Sequence, residues 1–164
     1  MKTIIIYYST TGKTDIVAKT LSEELDADII KIKDLKNRTG IKNRLVASLD
    51  AFREIKTKIQ PIRVDLTDYD RVIFGTPTWA GNPTPAILTI VDRCDLRGKK
   101  VILFTTMDNS GGISVIKRLK EKVEARGAHV VYEFTLKTKN KSPNELKNNS
   151  NSIIELINSK ENEN

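Results

Sequence analysis

The sequence predicts one doubly wound α/β domain, a parallel sheet with helices on both faces. Three observations carry that expectation. Apolar, β-branched runs at 3–8, 70–76, 99–106 and 129–136 alternate with stretches whose apolar residues recur at helical spacing. Each intervening stretch is long enough to cross back over the sheet, so successive strands run the same way. The run at 99–106 is almost unbroken in apolar character, which suits a strand covered on both faces.

The elements follow in order. The first strand, 3–8, enters the polar turn Ser9-Thr10-Thr11-Gly12, after which Val17, Leu21 and Leu25 line one helix face. A short second strand is expected at 28–32. Leu45, Leu49, Phe52 and Ile55 make another helical stripe before Pro61 breaks the pattern. The third strand, 70–76, ends at Pro77 and precedes a Gly/Pro/Thr loop and a short helix at 84–91. The fourth strand, 99–106, leads to a helix carrying Ile113, Ile116, Leu119 and Val123, closed by Gly127 as its cap. The fifth strand is 129–136. The last helix starts near Ser142-Pro143, with Ser as cap, Pro in the first turn, Glu145 placed for a capping box, and Leu146, Ile153 and Ile157 as its buried face.

A chain of 164 residues suits one domain, here 1–159, with 160–164 a disordered tail. With 38% apolar and 30% charged residues it reads as soluble and globular, and no apolar run nears the roughly eighteen residues of a membrane span. Residues 1–8 resemble a targeting signal only in being apolar and lack a cleavage site, so a cytoplasmic location is expected. Cys94, the single cysteine, has no disulfide partner and no neighbours for zinc, and is read as a buried apolar residue. His129 opens a strand without a nucleophile beside it and is read as structural. The net charge of +7 raises nucleic acid or an anionic membrane, but Lys and Arg are scattered through every segment without an aromatic-rich basic stripe. A solvated basic surface is the expectation, with no nucleic acid, membrane or metal.

In such a sheet ligands sit outside the carboxyl ends of the strands, where strand order switches. That directs attention to the loops after strands one, three and four. The first reads Ser9-Thr10-Thr11-Gly12-Lys13-Thr14: four hydroxyl side chains around a glycine at a helix start, able to surround a phosphate while backbone N–H groups point inward. Gly12-Lys13-Thr14 matches the tail of a triphosphate loop, but Tyr7 stands where the leading glycine belongs. The third strand also ends Phe74-Gly75-Thr76, without an Asp for magnesium. One glycine does not make a dinucleotide fingerprint either, so a monoester held by hydroxyls fits best, with an ordinary Ser/Thr helix cap as the alternative.

The second loop, Gly75-Thr76-Pro77-Thr78-Trp79-Ala80-Gly81-Asn82-Pro83, presents the only tryptophan among small residues that cannot shade it. A partly exposed indole there suits stacking on a flat heterocycle; packing over the following helix is the alternative. The third loop, Thr105-Thr106-Met107-Asp108-Asn109-Ser110-Gly111-Gly112, can bring backbone donors and acceptors to a ring edge, or be simple turn chemistry.

Together, Tyr7 to Thr14, Phe74 to Gly81 and Thr105 to Gly112 make residues 2–158 resemble the flavodoxin family. The resemblance implies a flavodoxin-like three-layer sandwich with strand order 2-1-3-4-5 and flavin mononucleotide (FMN) as cofactor. It implies that Ser9, Thr10, Thr11, Gly12, Lys13 and Thr14 take the phosphate. Trp79 would stack on the isoalloxazine beside Pro77, Thr78, Ala80 and Gly81, and Thr106, Met107, Asp108, Asn109, Gly111 and Gly112 would line the other loop. Two departures stand out. The family often supplies a second aromatic from the third loop, where this chain has Met107 or Asp108 instead. Its electron carriers are typically acidic, whereas this chain is basic, which favours acidic partners. The expected function is an electron carrier in which the protein supplies position and electrostatics and no catalytic side chain. The alternatives are an NAD(P)H-dependent FMN or quinone oxidoreductase, and a binding module without cofactor. Partners would be redox proteins or a small-molecule electron donor or acceptor.

Overall fold

A computed structural model describes residues 1–36 and 56–162. The stripe at Leu45, Leu49, Phe52 and Ile55 lies outside the described residues. Strand β1 (Thr3–Tyr7) leads into helix α1 (Lys13–Glu24), then β2 (Asp28–Lys31) and β3 (Lys33–Asp34). Next come β4 (Ile59–Gln60), β5 (Arg71–Pro77), α2 (Pro85–Arg93) and β6 (Lys100–Met107). Helix α3 (Gly112–Glu124), β7 (His129–Lys137) and α4 (Pro143–Asn162) complete the order.

Five strands form one parallel sheet in the order β2-β1-β5-β6-β7. Counted along this sheet alone, that is 2-1-3-4-5, the order expected. β3 and β4 pair antiparallel as a separate ribbon, Lys33 opposite Gln60 and Asp34 opposite Ile59. The sequence reading did not anticipate this ribbon, because two residues are too few to display an alternation.

Side chains alternate along a strand, so each central strand feeds two cores. Ile4, Ile6, Val72, Phe74, Val101 and Leu103 meet Ile87 and Val91 of α2 and Val115 and Leu119 of α3. Ile5, Ile73, Ile102 and Phe104 face the other way, under Val17 and Leu21 of α1 and Ile154 and Ile157 of α4. Burying a side chain of this size contributes about 1.5–3 kcal/mol. Where β5 and β6 pair, Gly75 lies opposite Phe104, and a Cβ on Gly75 would sit 2.1 Å from Phe104 Cζ. Glycine is what lets the ring lie across the strand.

Several boundaries shift by a residue or two from the sequence reading. β6 keeps pairing through Thr106 with Pro77 and through Met107 with Lys137. Thr106 and Met107 therefore end a strand, and Gly112 opens α3 instead of closing a loop. α4 buries Leu146, Ile154 and Ile157, with Ile153 half-buried, because spacings of four and three keep residues on one face. Its capping box forms as expected: the Ser142 N–H donates to Glu145 Oε2 at 2.8 Å and the Glu145 N–H to Ser142 Oγ at 3.3 Å. The helix continues to Asn162, into the segment expected to fray. No described helix is long and apolar enough to cross a membrane.

Candidate functional site

Parallel pairing sets Tyr7 beside Gly75 and Gly75 beside Phe104, so the loops after β1, β5 and β6 leave the sheet together. This is the switch point, with β2 on one side of β1 and β5 on the other.

In the first loop, Gly12 adopts φ +86° to enter α1. Ser9 Oγ accepts the N–H groups of Gly12 at 3.2 Å and Asp15 at 3.3 Å, so this hydroxyl caps the helix. The Thr14 hydroxyl is also occupied, bonded to the Thr106 hydroxyl at 2.8 Å. Thr10 and Thr11 stand exposed. The N–H groups of Thr11, Lys13 and Thr14 donate to no protein acceptor among the described residues. Thr14 is only 2% exposed, and buried amide donors are almost always paired. Unpaired donors at a helix start, with two free hydroxyls alongside, are the donor set a phosphate monoester requires.

The first turn of α1 is fixed by Asp15. Its carboxylate accepts from Tyr7 Oη at 2.7 Å, Lys31 Nζ at 2.9 Å and Lys19 Nζ at 2.9 Å. Burial alone would raise this carboxyl, but the bonds from Tyr7, Lys19 and Lys31 override it and hold the group far below the usual range. Burial, then the bond to Asp15, pushes the Tyr7 hydroxyl well above its ordinary value.

In the second loop the half-buried Trp79 meets Tyr8 edge-on, with centroids 5.7 Å apart and planes at 84°. Trp79 and Asn82 exchange backbone bonds of 3.0 and 2.9 Å. Between them Ala80 (φ +49°) and Gly81 (φ +73°) are both left-handed, the geometry of a type I′ turn. Thr78 ties the loop to β6 through its N–H to the Thr106 carbonyl, 2.8 Å, and through its hydroxyl to that of Thr105, 3.0 Å.

The third loop closes against the second. A Cβ on Gly111 (φ +92°) would lie 3.0 Å from Gly81 Cα and 3.2 Å from Thr78 Cγ2, so the backbones touch where both residues are glycine. Met107 places its sulfur against Gly112, where a Cβ would lie 2.8 Å from Sδ. Asp108 pairs with Lys13 at 2.9 Å and accepts from the Thr138 hydroxyl at 3.3 Å. The bond from Lys13 outweighs burial and lowers the Asp108 carboxyl below its ordinary value. Asn109 and Ser110 are exposed. This loop supplies no aromatic side chain.

Three contributors escaped the sequence reading. Tyr8 braces Trp79, and its position at the end of the first strand was the available signal. Asn82 has no role in the sequence reading, yet its Nδ2 donates to the Ala80 carbonyl at 2.8 Å. Arg118 of α3 donates to Asn82 Oδ1 from 36 residues away, a separation that leaves no local trace.

Elsewhere the chemistry is structural. At the opposite sheet end a cleft of about 1060 Å³ is lined by Arg93, Cys94, Arg97 and Arg126 among others. There Arg126 donates to the Cys94 carbonyl, Arg93 to that of Ile62, and Arg97 pairs with Asp95. Cys94 is fully buried, which pushes its thiol up to about 11. His129 is exposed at the start of β7. No cluster of His, Cys, Asp or Glu among the described residues could hold a metal ion.

A doubly wound sheet with an amide- and hydroxyl-rich helix start and a tryptophan turn at its switch point defines a flavodoxin-like flavoprotein. The model of the NADPH-dependent FMN reductase family matches residues 1–141, and the chain belongs to that family. A flavoprotein from Lactobacillus acidophilus, solved in complex with FMN, superposes with a TM-score of 0.68 at 26% identity, over 82% of this chain and 92% of that one. A flavodoxin of Nostoc is 28% identical over 79% of this chain and 68% of its own length. Flavodoxin 2 of Bacillus cereus shares the fold, with a TM-score of 0.59 at 20% identity, over 94% of this chain and 99% of that one. The cofactor of the chain is FMN.

Proposed function

We propose that residues 9–14 hold the FMN phosphate, that the Trp79 turn holds the flavin ring, and that the protein is a reductase taking electrons from a reduced nicotinamide dinucleotide. The unpaired N–H groups of Lys13 and Thr14, with the free hydroxyls of Thr10 and Thr11, support the phosphate end. Trp79, braced by Tyr8, supports the ring end. Bound FMN supplies the electron-accepting chemistry, and the protein supplies position and charge.

The observation that carries the reductase reading is the third loop. It brings no aromatic cover, the Met107 sulfur lies against Gly112, and Asp108 is engaged by Lys13 and Thr138. A cofactor covered by one tryptophan alone leaves room for a second flat reactant, which an electron carrier does not need. The family's description as NADPH-dependent points the same way. Similarity to the Nostoc flavodoxin favours the second reading, an electron carrier. Anaerobic stopped-flow mixing of the FMN-loaded protein with NADPH separates them: bleaching of the flavin within seconds is expected. Reduction by dithionite but not by NADPH would leave the carrier.

A further inference from the structure

The Trp79 turn is held by a chain of side-chain bonds that reaches across to α3. Ala80 sits at φ +49°, a conformation that disfavours any side chain, so something must keep the turn there. Asn82 does so from one side: it is 4% exposed, and its Nδ2 donates to the Ala80 carbonyl at 2.8 Å. Its Oδ1 accepts from the Arg118 guanidinium. An amide buried this deeply needs both ends satisfied to hold one orientation. With Arg118 in place, Nδ2 can point only at Ala80. On the other side Gly81 Cα rests against Gly111, which stops the turn from moving toward the third loop.

We propose that Arg118 is a positioning residue of the aromatic turn: through Asn82 it fixes the Ala80 carbonyl, and so fixes the attitude in which Trp79 meets the flavin ring. Arg118 acts only through Asn82. The cofactor part rests on the reading of Trp79 as the ring seat; the latch itself is a property of the protein without cofactor.

The test therefore has two arms. In the cofactor-free protein, Arg118→Met should speed amide hydrogen exchange at Trp79 and Asn82, whose N–H groups bond across the turn, about tenfold and leave Ile73 and Leu103 of the central strands unchanged. In FMN and riboflavin titrations, the same variant should weaken both ligands by an equal factor, about tenfold, because the ring seat is disturbed and the phosphate seat is not. Arg118→Lys, which can still donate to Oδ1, should recover most of both effects. In an Asn82→Ala background, Arg118→Met should have no further effect on either ligand, since the path runs through Asn82. Unchanged exchange, unchanged riboflavin affinity, or full additivity with Asn82→Ala would each overturn the proposal. Absence of FMN binding by the wild-type chain would overturn the cofactor reading instead, and the exchange rates alone would then decide whether the latch exists.

Discussion

Thr10 and Thr11 are the two hydroxyls of the first loop that no described protein group holds, while Ser9 and Thr14 have their hydroxyls engaged by the helix cap and by Thr106. A hydrogen bond to a charged group contributes about 1.5–3 kcal/mol. The double variant Thr10→Ala, Thr11→Ala should therefore weaken FMN by about 3 kcal/mol in calorimetry while leaving riboflavin, which lacks the phosphate, unchanged. Equal losses for both would place the phosphate elsewhere. Cys94 makes the contrasting residue-scale case. Burial raises its thiol from 9.0 to about 11, so the fold disfavours the thiolate and loses stability only as pH rises through that interval. A thiol reagent at pH 8 should leave the native protein unlabelled and react fully in denaturant; rapid native labelling would mean that the region around Val64 opens.

At the scale of elements, α1 is anchored by one carboxylate shared among β1, β2 and its own next turn. The folded Asp15 carboxyl titrates below its ordinary value despite burial, so its stabilising contribution is complete above about pH 5 and is lost as pH falls below 4. In urea titrations Asp15→Asn should thus be less stable than wild type at pH 7, and the difference should shrink toward pH 3. A difference that grows with acid would contradict the assigned direction. The elements themselves were legible wherever one residue type forced the geometry. The apolar run of β6, the Ser142–Glu145 box of α4 and the glycine after α3 each announce a local requirement in the sequence. The ribbon of β3 and β4 was not legible, since its pairing joins Asp34 to Ile59 over a long separation. The latch was not legible for the same reason: Arg118 follows helical spacing on α3 like any solvated cation, and only the packed fold brings it to Asn82. The first loop was read correctly as hydroxyl-rich, but sequence could not say which hydroxyls the protein keeps for itself.

At the scale of the molecule, the formal charge of +7 has no concentrated patch in the sequence, so it acts as a field around the whole chain and not as a docking code. A reduced nicotinamide dinucleotide phosphate is a polyanion, and that field should draw it in. Screening sets the size of the effect, because the Debye length shrinks from about 30 Å at 0.01 M salt to about 3 Å at 1 M. The second-order rate of flavin reduction by NADPH should then fall about tenfold or more across that range, with flavin absorbance confirming that FMN stays bound. The limiting rate at saturating NADPH should hold nearly constant, because transfer within the complex does not depend on long-range attraction. Dithionite reduction serves poorly as a control, since dithionite is itself an anion. A neutral, light-driven reductant should instead show no salt dependence. If the NADPH rate is flat with salt, the positive field plays no part in encounter, and the basic composition serves something other than the capture of an anionic electron donor.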